Sequence, residues 1–130
     1  MATKSRNTRQ KKAIEDAFAS SRRPLTVPEV HALAIETCAQ LGVATVYRAV
    51  NRLVEDRWLD EVRLPNQPIR YERASLAHHH HFHCEQCEQV VDTQAPCEAL
   101  ETSVPAGFLV LRHELTFYGI CADCGAAEPA

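Results

Sequence analysis

Apolar residues recur at helical spacing in the first half of the chain. In residues 8–19, Ile14 and Phe18 share one face while charged side chains occupy another, which predicts an amphipathic helix. A similar stripe, which includes Val46 and Val50, predicts a further helix over residues 44–56.

Between these two helices the sequence has a clear helix start. Thr26 is followed two residues later by Pro28 and three residues later by Glu29, which is the pattern of a capping box. The helix is predicted to run to about Ala39, and Gly42 marks a turn before the next one. Three short helices with a turn before the third are typical of a helix-turn-helix.

Strand-like segments follow the third helix. Residues 58–64 and 69–73 favour strands, and the cluster Pro65-Asn66-Gln67-Pro68 predicts the turn between them. A hairpin after a helix-turn-helix indicates a winged helix. We assign this domain to residues 1–74.

The remainder, residues 75–130, has a different pattern and predicts a second, α/β domain, so that the fold class is α+β. Residues 78–83 and 89–92 look extended, and residues 97–103 favour a short helix. Residues 108–120 are rich in β-forming residues and predict one long strand.

Composition narrows the class of protein. The 130 residues are 45% hydrophobic and 24% charged, which is typical of a soluble globular protein. No apolar run approaches the ~20 residues of a membrane span, and no apolar signal segment follows the basic N-terminus. We therefore expect a cytoplasmic protein without membrane contact. Residues 1–57 carry a net charge of +4 and residues 58–130 one of −7, so the first part suits a polyanion and the second suits cations.

Two Cys-x-x-Cys pairs supply the strongest chemical signal. They comprise Cys84, Cys87, Cys121 and Cys124. Four thiolates close a tetrahedral zinc site, which is then structural because no position stays open. Disulfides or free thiols are the alternative, but the spacing and the absence of a signal segment favour metal. Cys38 is predicted to be a core residue, and Cys97 receives no role.

The histidine run before Cys84 favours two further sites. An expression tag fits poorly because the run is internal and has only four consecutive histidines. On a strand, His79 and His81 face one side while His78 and His80 face the other. The partners that each pair needs are carboxylates or histidines from other segments, with these candidates: Glu72, Asp92, Glu98, Glu101 and His113. Solvated or structural histidines are the alternative reading.

Polar side chains on the third helix suit nucleic acid. Off its apolar stripe lie Thr45, Tyr47, Arg48, Asn51 and Arg52. Arg and Asn can read base edges, and hydroxyls suit phosphates. Basic residues of the first helix add candidate backbone contacts: Arg9, Lys11 and Lys12. A solvated helix face is the alternative, which the winged-helix context disfavours.

At these motifs the chain resembles the ferric-uptake-regulator (Fur) family. Residues 41–53, Leu-Gly-Val-Ala-Thr-Val-Tyr-Arg-Ala-Val-Asn-Arg-Leu, resemble its recognition-helix signature, and residues 8–11 resemble its first-helix motif. The histidine run into Cys84-x-x-Cys87 and the segment Tyr118–Cys124 resemble its dimerisation domain. The resemblance covers essentially the whole chain.

The resemblance implies a homodimeric, metal-dependent repressor of metal-homeostasis genes that binds palindromic DNA operators and is not an enzyme. It implies a structural Zn²⁺ held by the four paired cysteines. It implies a regulatory Zn²⁺, or Fe²⁺ or Mn²⁺, at Glu72, His79, His81 and Asp92. An additional site is implied at His78, His80 and His113, with a carboxylate from Glu98 or Glu101.

Departures from the family pattern bear on the sensed metal. The histidine that many iron- and peroxide-sensing members place before the second helix is replaced here, at about Pro24. Asp60, in the wing, matches a carboxylate that some zinc-sensing members use, and His80 stands where many iron regulators have Asp. Zinc is therefore favoured, with an iron-, manganese- or peroxide-responsive regulator as the alternative. A zinc hydrolase and a metal-storage module are more distant classes, since neither needs the Thr45–Arg52 pattern.

Overall fold

The first unit is built from three helices that share one apolar core. The computed structural model describes residues 6–21, 23–74, 78–94, 97, 100 and 102–127, within two compact units, Met1–Leu76 and Ala77–Ala130. The helices of the first unit are α1 (Arg6–Ser20), α2 (Val27–Ala34) and α3 (Val43–Glu55). Ile14, Val30 and Val46, one from each helix, are fully buried together, as the helical spacing of apolar residues predicts.

Helix α2 begins with the predicted capping box. The hydroxyl of Thr26 accepts a hydrogen bond from the backbone N–H of Glu29 at 3.3 Å, and the Glu29 carboxylate accepts one from the backbone N–H of Thr26 at 2.9 Å. Arg23 also donates to Glu29 at 2.8 Å. Burial raises the pKa of Glu29, but these hydrogen bonds outweigh it, so the pKa lies below its usual value.

The end of α2 differs from the prediction. The helix stops at Ala34 rather than near Ala39, because the next residues make tighter i→i−3 bonds, Glu36 N–H to Leu33 O and Thr37 N–H to Ala34 O. The Thr37 hydroxyl competes for the same Ala34 carbonyl at 3.3 Å. His31 holds this turn in place, with its Nε2 2.8 Å from the carbonyl oxygen of Leu41.

The wing is an antiparallel hairpin of β1 (Leu59–Val62) and β2 (Arg70–Arg73). A β-bridge between Leu25 and Tyr71 ties the segment before α2 to this hairpin through two backbone hydrogen bonds of 2.8 and 2.9 Å. The strands are shorter than predicted, but the helix-turn-helix followed by a hairpin is confirmed as a winged helix.

The second unit is a three-stranded mixed sheet in the order β4-β3-β5. Strand β3 (His80–Cys84) pairs antiparallel with β4 (Val90–Thr93) and parallel with β5 (Thr116–Gly119), and a short helix α4 (Ala122–Ala127) follows. The α+β fold class is thereby confirmed. Among the described residues, no helix combines the length and the apolar content that a bilayer span would need.

The predicted long strand over residues 108–120 is wrong for its first part. Only Thr116–Gly119 joins the sheet, and residues 108–115 carry no strand assignment. The reason is that these residues have no neighbouring strand in the described part of the chain: Leu109 is 83% exposed and Leu111 is 86% exposed. Of the predicted helix at residues 97–103, the described part shows two tight turns, Leu100 N–H to Cys97 O and Ser103 N–H to Leu100 O.

Candidate functional site

Parallel pairing of β3 and β5 brings the two Cys-x-x-Cys pairs together. Cys84 lies opposite Gly119 in the register, and the backbone N–H of Glu85 donates to Gly119 O at 2.7 Å. Each cysteine pair therefore follows the end of a strand at the same edge of the sheet. Two parallel strands need a connection of a dozen or more residues. Residues 85–115, which include β4, provide it.

The four sulfurs have the arrangement of a tetrahedral site. They lie within 4.8 Å of one another, with the Cys87 and Cys121 Sγ atoms 3.9 Å apart. Zn–S bonds of about 2.3 Å place neighbouring sulfurs about 3.8 Å apart in tetrahedral zinc. No disulfide forms among the six cysteines. The donor set is that of a closed, structural zinc site.

Backbone N–H groups stabilise the thiolate form of one of these cysteines. The N–H groups of Cys87 and Cys121 donate to Cys84 Sγ at 3.5 and 3.3 Å, and they lower the pKa of Cys84 to about 6. The hydrogen bond to Cys121, together with burial, raises the pKa of Cys124 to about 12. Four thiolates without a cation repel one another, so full deprotonation of this group requires a bound divalent metal.

A second donor group lies where β3 meets β4. His81 pairs directly with Asp92 in the antiparallel register, and its Nε2 is 3.5 Å from the carboxylate. His79 Nε2 is 3.7 Å from the same oxygen. Imidazole and carboxylate ligands of zinc lie about 3.4 Å apart in a tetrahedral shell. The structure thus brings together three of the predicted regulatory ligands, all of them largely buried.

The other two residues predicted for that group lie on the wing. Glu72 is on β2 and is buried, while Asp60 is on β1 opposite Glu72 and is exposed. Among the described residues, Asp60 belongs to none of the groups of metal donors. The ligand roles of Glu72 and Asp60 stay predictions.

A third donor group uses the opposite parity of the histidine run. His78 Nε2 lies 3.0 Å from His113 Nε2, and His80 Nε2 lies 3.0 Å from Cys97 Sγ. His80 is only 1% exposed; burial and the neighbouring histidines lower its pKa, which favours the neutral imidazole that binds metals. Cys97 was missed by the sequence reasoning. The predicted carboxylates Glu98 and Glu101 lie outside the described residues.

His83 belongs to none of these groups. Its ring is buried and packs edge-to-face against Tyr118, with ring centroids 5.6 Å apart. Direct pairing of His83 with Tyr118 on β5 explains this placement.

The predicted DNA-binding residues of α3 form one surface. Tyr47, Arg48, Asn51 and Arg52 are exposed and Thr45 is half-buried. Arg48 donates to the Thr45 hydroxyl at 3.2 Å, which orients the guanidinium. Between α1 and α3 lies a cavity of about 690 Å³ with four basic lining residues: Arg6, Lys11, Arg48 and Arg52. Arg9 and Lys12 are exposed on α1, and Lys12 pairs with Asp16 at 3.5 Å.

Comparison with known proteins gives one consistent result. The Ferric uptake regulator family model matches residues 2–118. The Bacillus subtilis ferric uptake regulation protein is 32% identical over 110 residues, which cover 80% of this chain and 74% of that protein. The Campylobacter jejuni protein of the same name is 31% identical over 87 residues, 65% of this chain and 55% of that protein, so this match spans little more than half of the relative.

The fold agrees with a solved relative. The structure of the Helicobacter pylori ferric uptake regulator Fur, for which three functional metal binding sites are described, superposes with a TM-score of 0.75 at 19% identity. The superposition covers 95% of this chain and 85% of that chain. Since the family model covers most of the sequence, the chain belongs to the ferric uptake regulator family.

Proposed function

We propose that this chain is a metal-responsive, DNA-binding transcriptional repressor of metal-homeostasis genes that acts as a cytoplasmic homodimer on palindromic operators. One observation carries the proposal: a winged helix with an exposed, cationic third helix and three groups of metal donors occur in the same short chain. A module that only stores metal does not require a DNA-binding helix, and a DNA-binding protein that acts without a metal signal does not require groups of metal donors.

The DNA-binding part of the proposal rests on α3. The recognition helix of a helix-turn-helix enters the major groove, where Arg pairs with guanine and Asn with adenine. Arg48 and Asn51 are exposed on α3 and suit these contacts. The basic cavity between α1 and α3 suits a phosphate of the DNA backbone, which would fix the helix in register.

The homodimer explains the exposed apolar surface of the second unit. Several large apolar side chains of residues 108–120 are exposed: Phe108, Leu109, Leu111, Phe117, Tyr118 and Ile120. A monomer rarely leaves such a contiguous run in water. Residues 108–115 also have strand-forming composition without a strand partner in the described part of the chain, so a second copy would supply both the pairing and the cover.

The regulatory metal is proposed to bind at His79, His81 and Asp92, with Glu72 as a further ligand contributed by the wing. The donors fit Zn²⁺, Fe²⁺ or Mn²⁺, because imidazole and carboxylate suit all three. A bound cation would tie the two units together and so favour one arrangement of the DNA-binding helices. To shift that equilibrium from 1:99 to 99:1, the metal must bind the favoured form more tightly by about 5.5 kcal/mol.

Zinc is the proposed regulatory metal, with iron, manganese or peroxide sensing as the alternative within the family. His80 and the absence of a histidine near Pro24 favour zinc. DNA binding would be titrated with Zn²⁺, Fe²⁺, Mn²⁺ and Ni²⁺ in turn, on protein that holds one zinc per chain in the cysteine group. The regulatory metal is the one that activates DNA binding at the lowest free concentration.

The test of the regulatory site is the double variant His79→Ala with His81→Ala. Gel shifts on the DNA upstream of the protein's own gene are expected to lose their dependence on metal, because two of the ligands are gone. The variant should keep one zinc per chain in the cysteine group and should still sediment as a dimer. Wild-type DNA binding by this variant, both with and without metal, would overturn the assignment.

We expect no enzymatic activity. A zinc hydrolase needs an open metal position and a general base in a pocket. The cavity between α1 and α3 is lined by residues of the first unit and includes no member of the three donor groups.

A further inference from the structure

The third donor group departs from the ligand set that family resemblance implies. That resemblance places a glutamate beside His78, His80 and His113. Glu98 and Glu101 lie outside the described residues. Among the described residues a sulfur lies there: Cys97 Sγ is 3.0 Å from His80 Nε2, and the four donor atoms lie within 4.8 Å of one another. They come from three separate segments of the chain, so their convergence is a product of the fold.

The spacing of the four atoms suits one tetrahedral cation. Zinc bonds of about 2.0–2.1 Å to nitrogen and 2.3 Å to sulfur place nitrogen atoms about 3.4 Å apart and nitrogen about 3.5 Å from sulfur. The two 3.0 Å contacts, His78 to His113 and His80 to Cys97, are each within about half an ångström of those separations. Small side-chain movements would therefore admit the ion.

Burial distinguishes this group from an incidental surface cluster. His80 is fully buried, Cys97 and His113 are half-buried, and the His80 ring contacts the rings of both His78 and His113. His80 Nε2 lies 3.0 Å from Cys97 Sγ, so it is the ring nitrogen that faces the group. Imidazole and thiolate are both ligand types that suit zinc.

We propose that Cys97 is the fourth ligand of this site and that the resulting His₃Cys donor set selects a thiophilic cation, Zn²⁺, over oxygen-preferring ions such as Mn²⁺. This inference rests on the proposed binding of metal by the second unit. The thiolate changes the selectivity: sulfur favours zinc strongly, whereas a glutamate serves zinc, iron and manganese alike. Because all four positions are filled by protein, the site is closed to catalysis.

Cobalt(II) is the probe, because a cobalt–thiolate bond gives an intense charge-transfer band and a cobalt–imidazole or cobalt–carboxylate bond does not. Full-length protein would be loaded with one zinc per chain in the cysteine group and then titrated with Co²⁺, with retained zinc measured at the end point. The proposed regulatory site has no sulfur, so any charge-transfer band that appears while zinc is retained reports Cys97.

Wild-type protein should show the band, and Cys97→Ser should lose it and bind Zn²⁺ at this site at least about tenfold more weakly, since even outer-shell changes cost about 10–100-fold. Cys38→Ser is the matched control and should keep the band. The double variant Glu98→Gln with Glu101→Gln should also keep it. Mn²⁺ should not displace cobalt from this site in wild type, whereas the Cys97→Asp variant should bind Mn²⁺ there more tightly than wild type does.

Two results would overturn the proposal in different ways. If wild type binds the extra cobalt without a charge-transfer band, and His78→Ala with His113→Ala lowers that binding by one cobalt per chain, the metal site stands but Cys97 is not a ligand. If wild type binds no cobalt beyond the retained zinc, both this inference and the proposed metal binding by the histidines fail. Retention of the cysteine-bound zinc by Cys97→Ser shows that a lost band does not reflect unfolding.

Discussion

We propose that the cysteine group holds a structural zinc, and removal of that metal should unfold the second unit and spare the first. The perturbation is the double variant Cys121→Ser with Cys124→Ser, which removes both sulfurs contributed by the segment after β5. The first unit contains every member of the main hydrophobic core, whereas the fully buried apolar residues in the described part of the second unit are Cys84 and Val90. The second unit therefore depends on metal far more than the first.

The size of the energies involved predicts that the second unit unfolds completely rather than becoming only less stable. Burial of an apolar side chain such as Val90 contributes only about 1.5–3 kcal/mol. A structural zinc contributes about 10–16 kcal/mol in small zinc domains, which equals or exceeds the whole stability of a typical domain, about 5–15 kcal/mol. A zinc bound there would thus be the largest single stabilising contribution in this unit.

Nuclear magnetic resonance of ¹⁵N-labelled protein separates the two units. Amide signals of α1 to α3 should keep their dispersed positions, and those of β3 to β5 should collapse into the unfolded region. Cys38→Ser, which replaces a half-buried cysteine outside the donor groups, is the control and should change neither set. The reasoning is refuted if the double variant loses one zinc per chain yet retains dispersed signals from β3, β4 and β5.

Four further changes test other parts of the molecule. Thr26→Ala should lower the free energy of unfolding by about 1 kcal/mol, measured by urea denaturation, because the capping box of α2 is lost. Because the folded state lowers the pKa of Glu29, its contribution is present above the ordinary pKa and is lost as the pH falls through the lower folded value; the stability difference between wild type and Glu29→Gln should therefore shrink in acid and not in base. Arg48→Ala should weaken operator binding by about 1–3 kcal/mol with zinc content unchanged, while exposed Arg112→Ala should not; equal affinities would place the DNA-reading surface elsewhere. Leu109→Asp with Leu111→Asp should convert the dimer to monomers in sedimentation; an intact dimer would show that these exposed side chains lie outside the interface.

The winged helix was predictable because its signals are local. Each helix buries a stripe of apolar residues at helical spacing, and α2 carries its own start signal in Thr26 and Glu29. Its end was misjudged because the bonds that tighten residues 35–38 into turns involve a Thr37 hydroxyl, whose choice of partner depends on the folded chain.

The second unit was less predictable because its pairing is non-local. Alternation along the histidine run correctly separated His79 and His81 from His78 and His80, since alternation needs only a strand. Cys97 could not be placed by alternation, because it lies in a different segment and meets His80 only through the tertiary fold. The only available signal was its position one residue before Glu98, where resemblance implies a ligand.

Strand β3 and the two residues before it connect all three donor groups. His79 and His81 face Asp92, His78 and His80 face His113 and Cys97, and Cys84 ends the strand in the cysteine group. Residues on a strand advance by about 3.3 Å each, and neighbouring strands fix their register, so one group cannot move along the strand axis without moving the others. A metal that repositions His81 would therefore strain the pairing of Cys84 with β5. For this reason we expect metal bound at the cysteine and His₃Cys groups to set the affinity of the regulatory group for its metal. Metal-dependent DNA binding should therefore be measured on protein in which those two groups are loaded with zinc.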